Sequence, residues 1–270
     1  MKHMPSHITA LRRLVDEEIR VELIAEALHV VEGSDPAAAV ASHLERLGYD
    51  ECGVRCGGVV SASVRLTDLV GETSGDAAKL VPLERVVAPA TPLWSCLDRI
   101  ARDGPLFVLG DHGLDGIVTR ADLNKQPARL LMFGVISTLE MVLLALIRRN
   151  HEADGWRGLV SEDRLGKAEA LHTERRRRRE EIDLVDCLQL GDKVTVCLKT
   201  SDIRDVWGLS KSKGESLFKD LQRIRDNLAH AQSPAPRGDW QETVVALRGG
   251  HELLDRSIEA LRVTPEEVGA

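Results

Sequence analysis

The chain has 270 residues, 43% of them hydrophobic, which is enough for two domains of ordinary size, each with its own core. Aromatic residues are only 3% and the formal net charge is -7, so the cores must be Leu, Val, Ile and Ala, and the overall field does not attract nucleic acid. Any nucleic-acid binding must therefore use a local basic patch. The opening Met1-Lys-His-Met-Pro-Ser-His7 lacks an apolar core, so no secretory signal and a cytoplasmic location are expected. Cys52, Cys56, Cys96, Cys187 and Cys197 are scattered. No second Cys or His pair completes a zinc set around Cys52 and Cys56, which favours reduced thiols and no metal site.

Residues 8 to 28 carry apolar residues at helical spacing and predict a helix leading into the first domain. An internal repeat follows. Its first copy runs through Val30-Val31, Pro36, a helix to Leu47, Gly57-Gly58, Val59 to Val64 and Thr67-Asp68-Leu69. Its second runs through Val86-Val87, Pro92, a helix to Ala101, Gly110-Asp-His-Gly113 and Gly116-Ile-Val-Thr-Arg-Ala-Asp122-Leu123. Pro36 to Pro92 is a shift of 56 residues and Asp68 to Asp122 a shift of 54, so a small indel separates the copies. Each copy reads strand, helix, strand, tight turn, strand, helix, over about residues 21–75 and 80–127, and predicts a duplicated α+β domain over 1–127.

Beyond Pro127 the composition shifts to helix formers. Leu130 to Ile147 is nearly long enough to span a membrane, but Glu140 sits at its middle, where a carboxylate costs several kcal/mol in lipid. A buried bundle helix is expected, with no membrane partner. Arg175 to Arg179 is either a phosphate-binding run or a solvated face with Glu partners. A helix over Asp183 to Leu198, broken at Gly191-Asp192, is followed by a short turn to Trp207. A helix from Ser212 to Gln232, stopped by Pro234, and one from Asp239 to Leu261 complete an all-α bundle of four or five helices over 128–270. Residues 263–270 read as a frayed tail. No P-loop, Gly-rich phosphate motif or metal cluster is present, which argues against an enzyme acting on nucleotides themselves.

The helix from Ser212 is the stretch that carries chemistry. Leu217, Leu221, Ile224 and Leu228 form its apolar stripe, and Arg225, Asp226, Asn227 and His230 follow at its end. Arg and His together can bind a phosphate and move a proton near neutral pH. Such residues can equally cap a helix and satisfy loop carbonyls. At about 100° per residue, Arg225 and His230 lie about 140° apart, so one regular helix cannot aim both at one phosphate. Two copies could do so across an interface.

The repeat resembles the tandem cystathionine-β-synthase-type (CBS) domain pair, most clearly in Gly116-Ile-Val-Thr119-Arg-Ala-Asp122-Leu. The resemblance implies a bound adenine nucleotide as regulatory ligand, with the Thr119 hydroxyl on phosphate and Asp122 on the ribose hydroxyls. The first copy keeps Asp68 but has Arg65 in place of the Thr, which either disables that site or supplies a cation. A pair used only as a dimerisation scaffold is the alternative. The helical half resembles the HEPN superfamily (higher eukaryotes and prokaryotes nucleotide-binding) through Leu139-Glu140, Leu143, Leu144, Ile147 and Arg148 and through the R-x-x-x-x-H pattern of Arg225 to His230. That resemblance implies a homodimeric, metal-independent endoribonuclease of the toxin or defence kind, needing no catalytic cofactor, with Arg225, His230, Asp226 and Asn227 as its catalytic set and RNA as its partner. The reading from a different class is a non-catalytic, nucleotide-sensing scaffold that binds RNA or a protein.

Overall fold

The computed structural model describes residues 6–111 and 113–262. The expected tail over 263–270, His112 of the second turn and the first five residues lie outside the described residues. The chain divides into two compact units, one of residues 16–128 and one of the described residues up to Val15 together with those from Arg129 onward. The helix expected over 8 to 28 is therefore corrected. Helix α1 is Ser6–Arg13, a π-helical turn covers Leu14–Glu18, and the chain then enters a sheet. Ile8 and Val15 bury themselves in the helical unit, where Gly134 leaves room for Val15 that a Cβ would fill, whereas Val21 and Ile24 are buried in the other unit.

The unit of residues 16–128 contains β1 (Glu26–Ala27), β2 (Val30–Glu32), α2 (Ala37–Leu47), β3 (Glu51–Cys56), β4 (Val59–Arg65), α3 (Ser74–Ala77), β5 (Lys79–Leu80), β6 (Val86–Val87), α4 (Leu93–Asp103), β7 (Leu106–Gly110) and β8 (Gly113–Val118). The strand order β2-β3-β4-β8-β7-β6 is the same repeat read from both ends. Strands β2 and β3 are parallel and β3 and β4 antiparallel; β6, β7 and β8 repeat that pattern, and β4 meets β8 in the centre. Each copy also lends its leading strand to the other: β1 pairs with β8, and β5 pairs with β4. The register shifts fall at equivalent places, Val54/Arg55 and Val108/Leu109. Gly57 and Gly58 turn the first hairpin with φ of 60° and 83°, a conformation that suits glycine in a two-residue turn. Val31, Val40, Leu44, Cys52, Val54 and Val64 pack one core, as the alternation of β3 and β4 dictates.

The copies are joined by a half-buried ion pair. Arg85 donates to both oxygens of Glu51, at 3.1 and 2.8 Å, and its Nε donates to the Pro105 carbonyl at 3.2 Å. Its guanidinium also stacks 5.0 Å from the Phe107 ring centroid. Burial alone would raise the Glu51 carboxyl, but the hydrogen bonds from Arg85 and Ser63 and the charges of Arg85 and Arg65 outweigh it and hold that carboxyl below its usual range.

The helical unit continues with α5 (Gln126–Asn150), α6 (Glu162–Arg177), α7 (Leu190–Lys199), α8 (Ser201–Trp207), α9 (Lys211–Ala229) and α10 (Trp240–Arg262). These are six helices rather than the expected four or five, because the turn before Trp207 is itself helical. The break before α7 lies at Leu188-Gln189, not at Gly191-Asp192. Asp192 instead closes a capping box with Gln189 and is gripped by Arg164 at 2.6 and 2.7 Å. Helix α5 is long and apolar enough to cross a membrane by length and composition, yet 61% of that stretch is buried inside the protein. Its Glu140 accepts from the buried Lys193 of α7 at 2.7 Å, which answers the question its charge raised. On α9 the buried residues are Gly214, Phe218, Leu221 and Ile224, with Leu217 and Leu228 only half-buried. Trp207 is fully buried and donates to Ser257 of α10 at 2.8 Å.

Candidate functional site

Two places concentrate the polar chemistry that the sequence singled out. The first is the end of β8. Asp122 is 6% exposed and accepts from the Thr119 amide at 2.7 Å and from the Thr119 hydroxyl at 2.9 Å. The Thr119 hydroxyl in turn accepts from the Ala121 amide at 3.2 Å. Lys125 lies 2.9 Å from the other Asp122 oxygen and also bonds the Ile24 carbonyl and Glu26. Burial alone would lower the Lys125 ammonium, but the two carboxylates outweigh it and raise it. Thr119 and Asp122 thus come together, but as a closed local cap rather than as free acceptors. In the first copy Arg65 lies 3.7 Å from Glu51, and Asp68 accepts from Lys79 at 2.8 Å. That ammonium holds the Asp68 carboxyl below its usual range. Arg65 and Asp68 are therefore each drawn to a different partner.

The second place is the end of α9. The helix ends at Ala229, well before Pro234, and not at Gln232. Gln232 donates its amide to the Asn227 carbonyl at 2.8 Å and Ala231 donates to Leu228 at 3.2 Å, the two crossed bonds of a Schellman end. Ala231 takes the left-handed conformation that this end needs, with φ of 57°. Arg129 of α5, 9% exposed, donates to the Leu228 carbonyl at 3.1 Å and to the Gln232 carbonyl at 2.7 Å. The capping is therefore done by main chain and by Arg129, not by the motif's side chains. The His230 ring and the Asn227 amide make no hydrogen bond among the described residues, and both are accessible. Arg225 donates to its neighbour Asp226 at 3.1 Å, its one hydrogen bond among the described residues. Arg225 and His230 do not meet within one chain.

A cleft of about 650 Å³ lies between α7 and α9. Val194, Leu198 and Phe218 form its floor, and Lys199, Lys211, Lys219 and Arg223 stand at its walls. Asp226 and Asn227 line its far end, while Arg225 and His230 are not among its lining residues. The sequence reading missed both this cleft and Arg129. The spacing of Lys211, Lys219 and Arg223 was visible, but not which helix they faced; for Arg129 there was no signal. The Arg175–Arg179 run is partly neutralised within its own segment, with Arg178 on Glu174 at 2.9 Å and Arg175 on Glu180 at 3.3 Å. Among the described residues no group of three His, Cys, Asp or Glu is placed to hold a metal, and Cys52 is buried while Cys56 is exposed.

The sequence matches no protein-family model. It matches no curated protein either. Solved structures similar to part of the chain include CBSX2 in complex with AMP, a protein of Arabidopsis thaliana, at 22% identity and a TM-score of 0.35, over 38% of this chain and 92% of that one. They also include the CBS domain of a bacterial CNNM/CorC family Mg2+ transporter in complex with ATP, at 17% identity and 0.34, over 44% and 92%. A third is CbpB in complex with c-di-AMP, at 15% and 0.38, over 47% and 95%. Likenesses of this strength assign neither a family nor a ligand to this chain.

Proposed function

We propose that the chain is a nucleotide-regulated, metal-independent endoribonuclease that acts as a homodimer. One observation carries the catalytic half of this reading. The bland role for Arg225, Asp226, Asn227 and His230, capping a helix, is already filled by the Schellman bonds and Arg129, so the motif stands accessible on a pinned helix end. In the reaction the RNA 2′-oxygen attacks the adjacent phosphorus, a 2′-O–P bond forms and the P–O5′ bond breaks. His230 takes or delivers the proton that leaves the 2′-hydroxyl and ends on O5′. Arg225 of one protomer or its partner stabilises the charge on the phosphate, and Asp226 and Asn227 orient these groups or bond RNA. The products are a 2′,3′-cyclic phosphate and a 5′-hydroxyl.

The regulatory half rests on the duplicated sheet unit and on the Thr119 and Asp122 pair brought together at the end of β8. An adenine nucleotide at Thr119 and Asp122 takes over the Asp122 oxygen that Lys125 now holds, and it biases the protomers only if it binds two dimer geometries unequally. The runner-up is a non-catalytic nucleotide-sensing scaffold that binds RNA or a protein, favoured by the separation of Arg225 from His230 within a chain.

The test is end-labelled RNA incubated with wild type, Arg225→Ala and His230→Ala. Cleavage by wild type alone, yielding a cyclic phosphate and lost on dilution to monomer, is expected. Intact RNA in all lanes, or equal cutting by the variants, refutes the catalytic half. Calorimetry with adenine nucleotides tests the other half, which fails if none binds.

A further inference from the structure

We infer that the cleft between α7 and α9 is a binding groove for single-stranded RNA, which delivers the strand to His230. The inference deepens the ribonuclease reading and rests on it for the role of His230, but the groove itself stands on separate observations.

The charge of the cleft runs against that of the chain. Net charge is -7, yet four cations and only two carboxylates, Glu215 and Asp226, line this one space. Two of the cations are committed: Lys199 donates to the Leu159 carbonyl at 2.6 Å, and Lys211 lies 3.8 Å from Glu215. Lys219 makes no hydrogen bond or ion pair among the described residues, and Arg223 pairs with the half-buried Asp220, at 3.2 Å. An anionic occupant is thus the complement, and it must also fit the small apolar area that the largely buried Val194, Leu198 and Phe218 leave at the base of the cleft. A nucleic-acid strand does both, with phosphates on the cations and a base face on the floor. The amides of Gln222 and Asn227 lie beside that floor and can bond base edges.

The geometry of α9 sets the strand's direction. At about 100° per residue, Lys219, Arg223, Asp226 and His230 fall within about 60° of one another, whereas Arg225 lies about 120° from Lys219. Lys219, Arg223 and His230 therefore share one side of α9, with the Asp226 carboxylate between Arg223 and His230, and His230 lies roughly 16 Å beyond Lys219 at 1.5 Å rise per residue. A strand bound along this side passes His230 and not the Arg225 of the same chain, which leaves that arginine to a strand on the partner.

The measurement is fluorescence anisotropy of full-length protein with a labelled single-stranded 2′-fluoro RNA, which lacks the attacking hydroxyl and separates binding from cleavage. The double variant Lys219→Glu/Arg223→Glu is expected to bind at least tenfold more weakly. Its salt slope should fall by about 1.4, since each phosphate contact on a single strand contributes about 0.7. Glu215→Gln, which removes a like charge, should bind several-fold more tightly. The control Arg46→Glu/Lys167→Glu, at exposed positions of α2 and α6 away from the cleft, changes the net charge equally and should leave binding within twofold. No binding by wild type overturns the groove, as does equal loss in both double variants. Cleavage of ordinary RNA is scored separately. Groove-dependent binding without cutting keeps the groove and sinks the ribonuclease, and cutting with binding unmoved by the cleft variant does the reverse.

Discussion

Arg129→Met isolates the clamp on the candidate catalytic helix end. The substitution keeps a long apolar stem but removes the charge and both hydrogen bonds, to Leu228 and Gln232. A hydrogen bond from a charged donor contributes about 1.5–3 kcal/mol. The Leu228 carbonyl keeps its bond from Ala231, and Gln232 is exposed enough for water to replace the guanidinium, so the loss is nearer one such bond than two. We expect about 2 kcal/mol, or roughly thirtyfold in a local opening equilibrium. Arg129→Lys keeps the charge without the fork and should fall between. Hydrogen exchange read at the Ala231 and Gln232 amides is the assay, with urea unfolding alongside. Faster exchange confined to this end, together with weaker RNA cleavage although neither His230 nor Arg225 is altered, is the expected result. Exchange within twofold of wild type at both amides refutes the clamp.

Glu51→Gln leaves the half-buried Arg85 without its counter-charge but with its bond to the Pro105 carbonyl, so the cost should lie at or below the lower end of the about 3–5 kcal/mol that breaking a fully buried pair shows. The Glu51 carboxyl is lowered in the folded protein, so its contribution is complete above the unfolded value near 4.5 and is lost as pH falls through the folded value. The stability gap between wild type and Glu51→Gln should therefore narrow as urea melts are taken from neutral pH down to pH 3, and a gap that widens there contradicts the pairing. Ala231→Gly relieves a left-handed alanine and should gain about 0.5–1 kcal/mol, a rise of about 2 °C in Tm by calorimetry, while Ala231→Val should lose more than that.

The repeat was legible because strand alternation, Pro-led helices and glycine turns are local, and two copies of a local pattern corroborate each other. The strands β1 and β5 were not legible, since two-residue strands have no periodicity and form only because each copy's sheet offers an edge to the other's leader. The end of α9 was misplaced for a related reason. Pro234 is a visible stop, but a Schellman end built on an alanine carries no glycine to mark it. The helix expected over residues 8 to 28 failed because an apolar period does not say which core it serves, and here Val15 and Val21 serve different ones.

The sequence alone determined the duplicated half, the helical half, and the Arg225 and His230 residues at the end of one amphipathic helix, because each element is marked by local spacing and the duplication by the recurrence of such a local pattern 54 to 56 residues on. Only the tertiary structure decided that Asp122 is already bound to Thr119 and Lys125, that Arg129 relieves the motif of capping, and that Lys219 and Arg223 face α7 across a cleft. Those outcomes depend on which side chains from distant segments compete for the same carbonyl, carboxylate or space, and no periodicity along the chain encodes that competition.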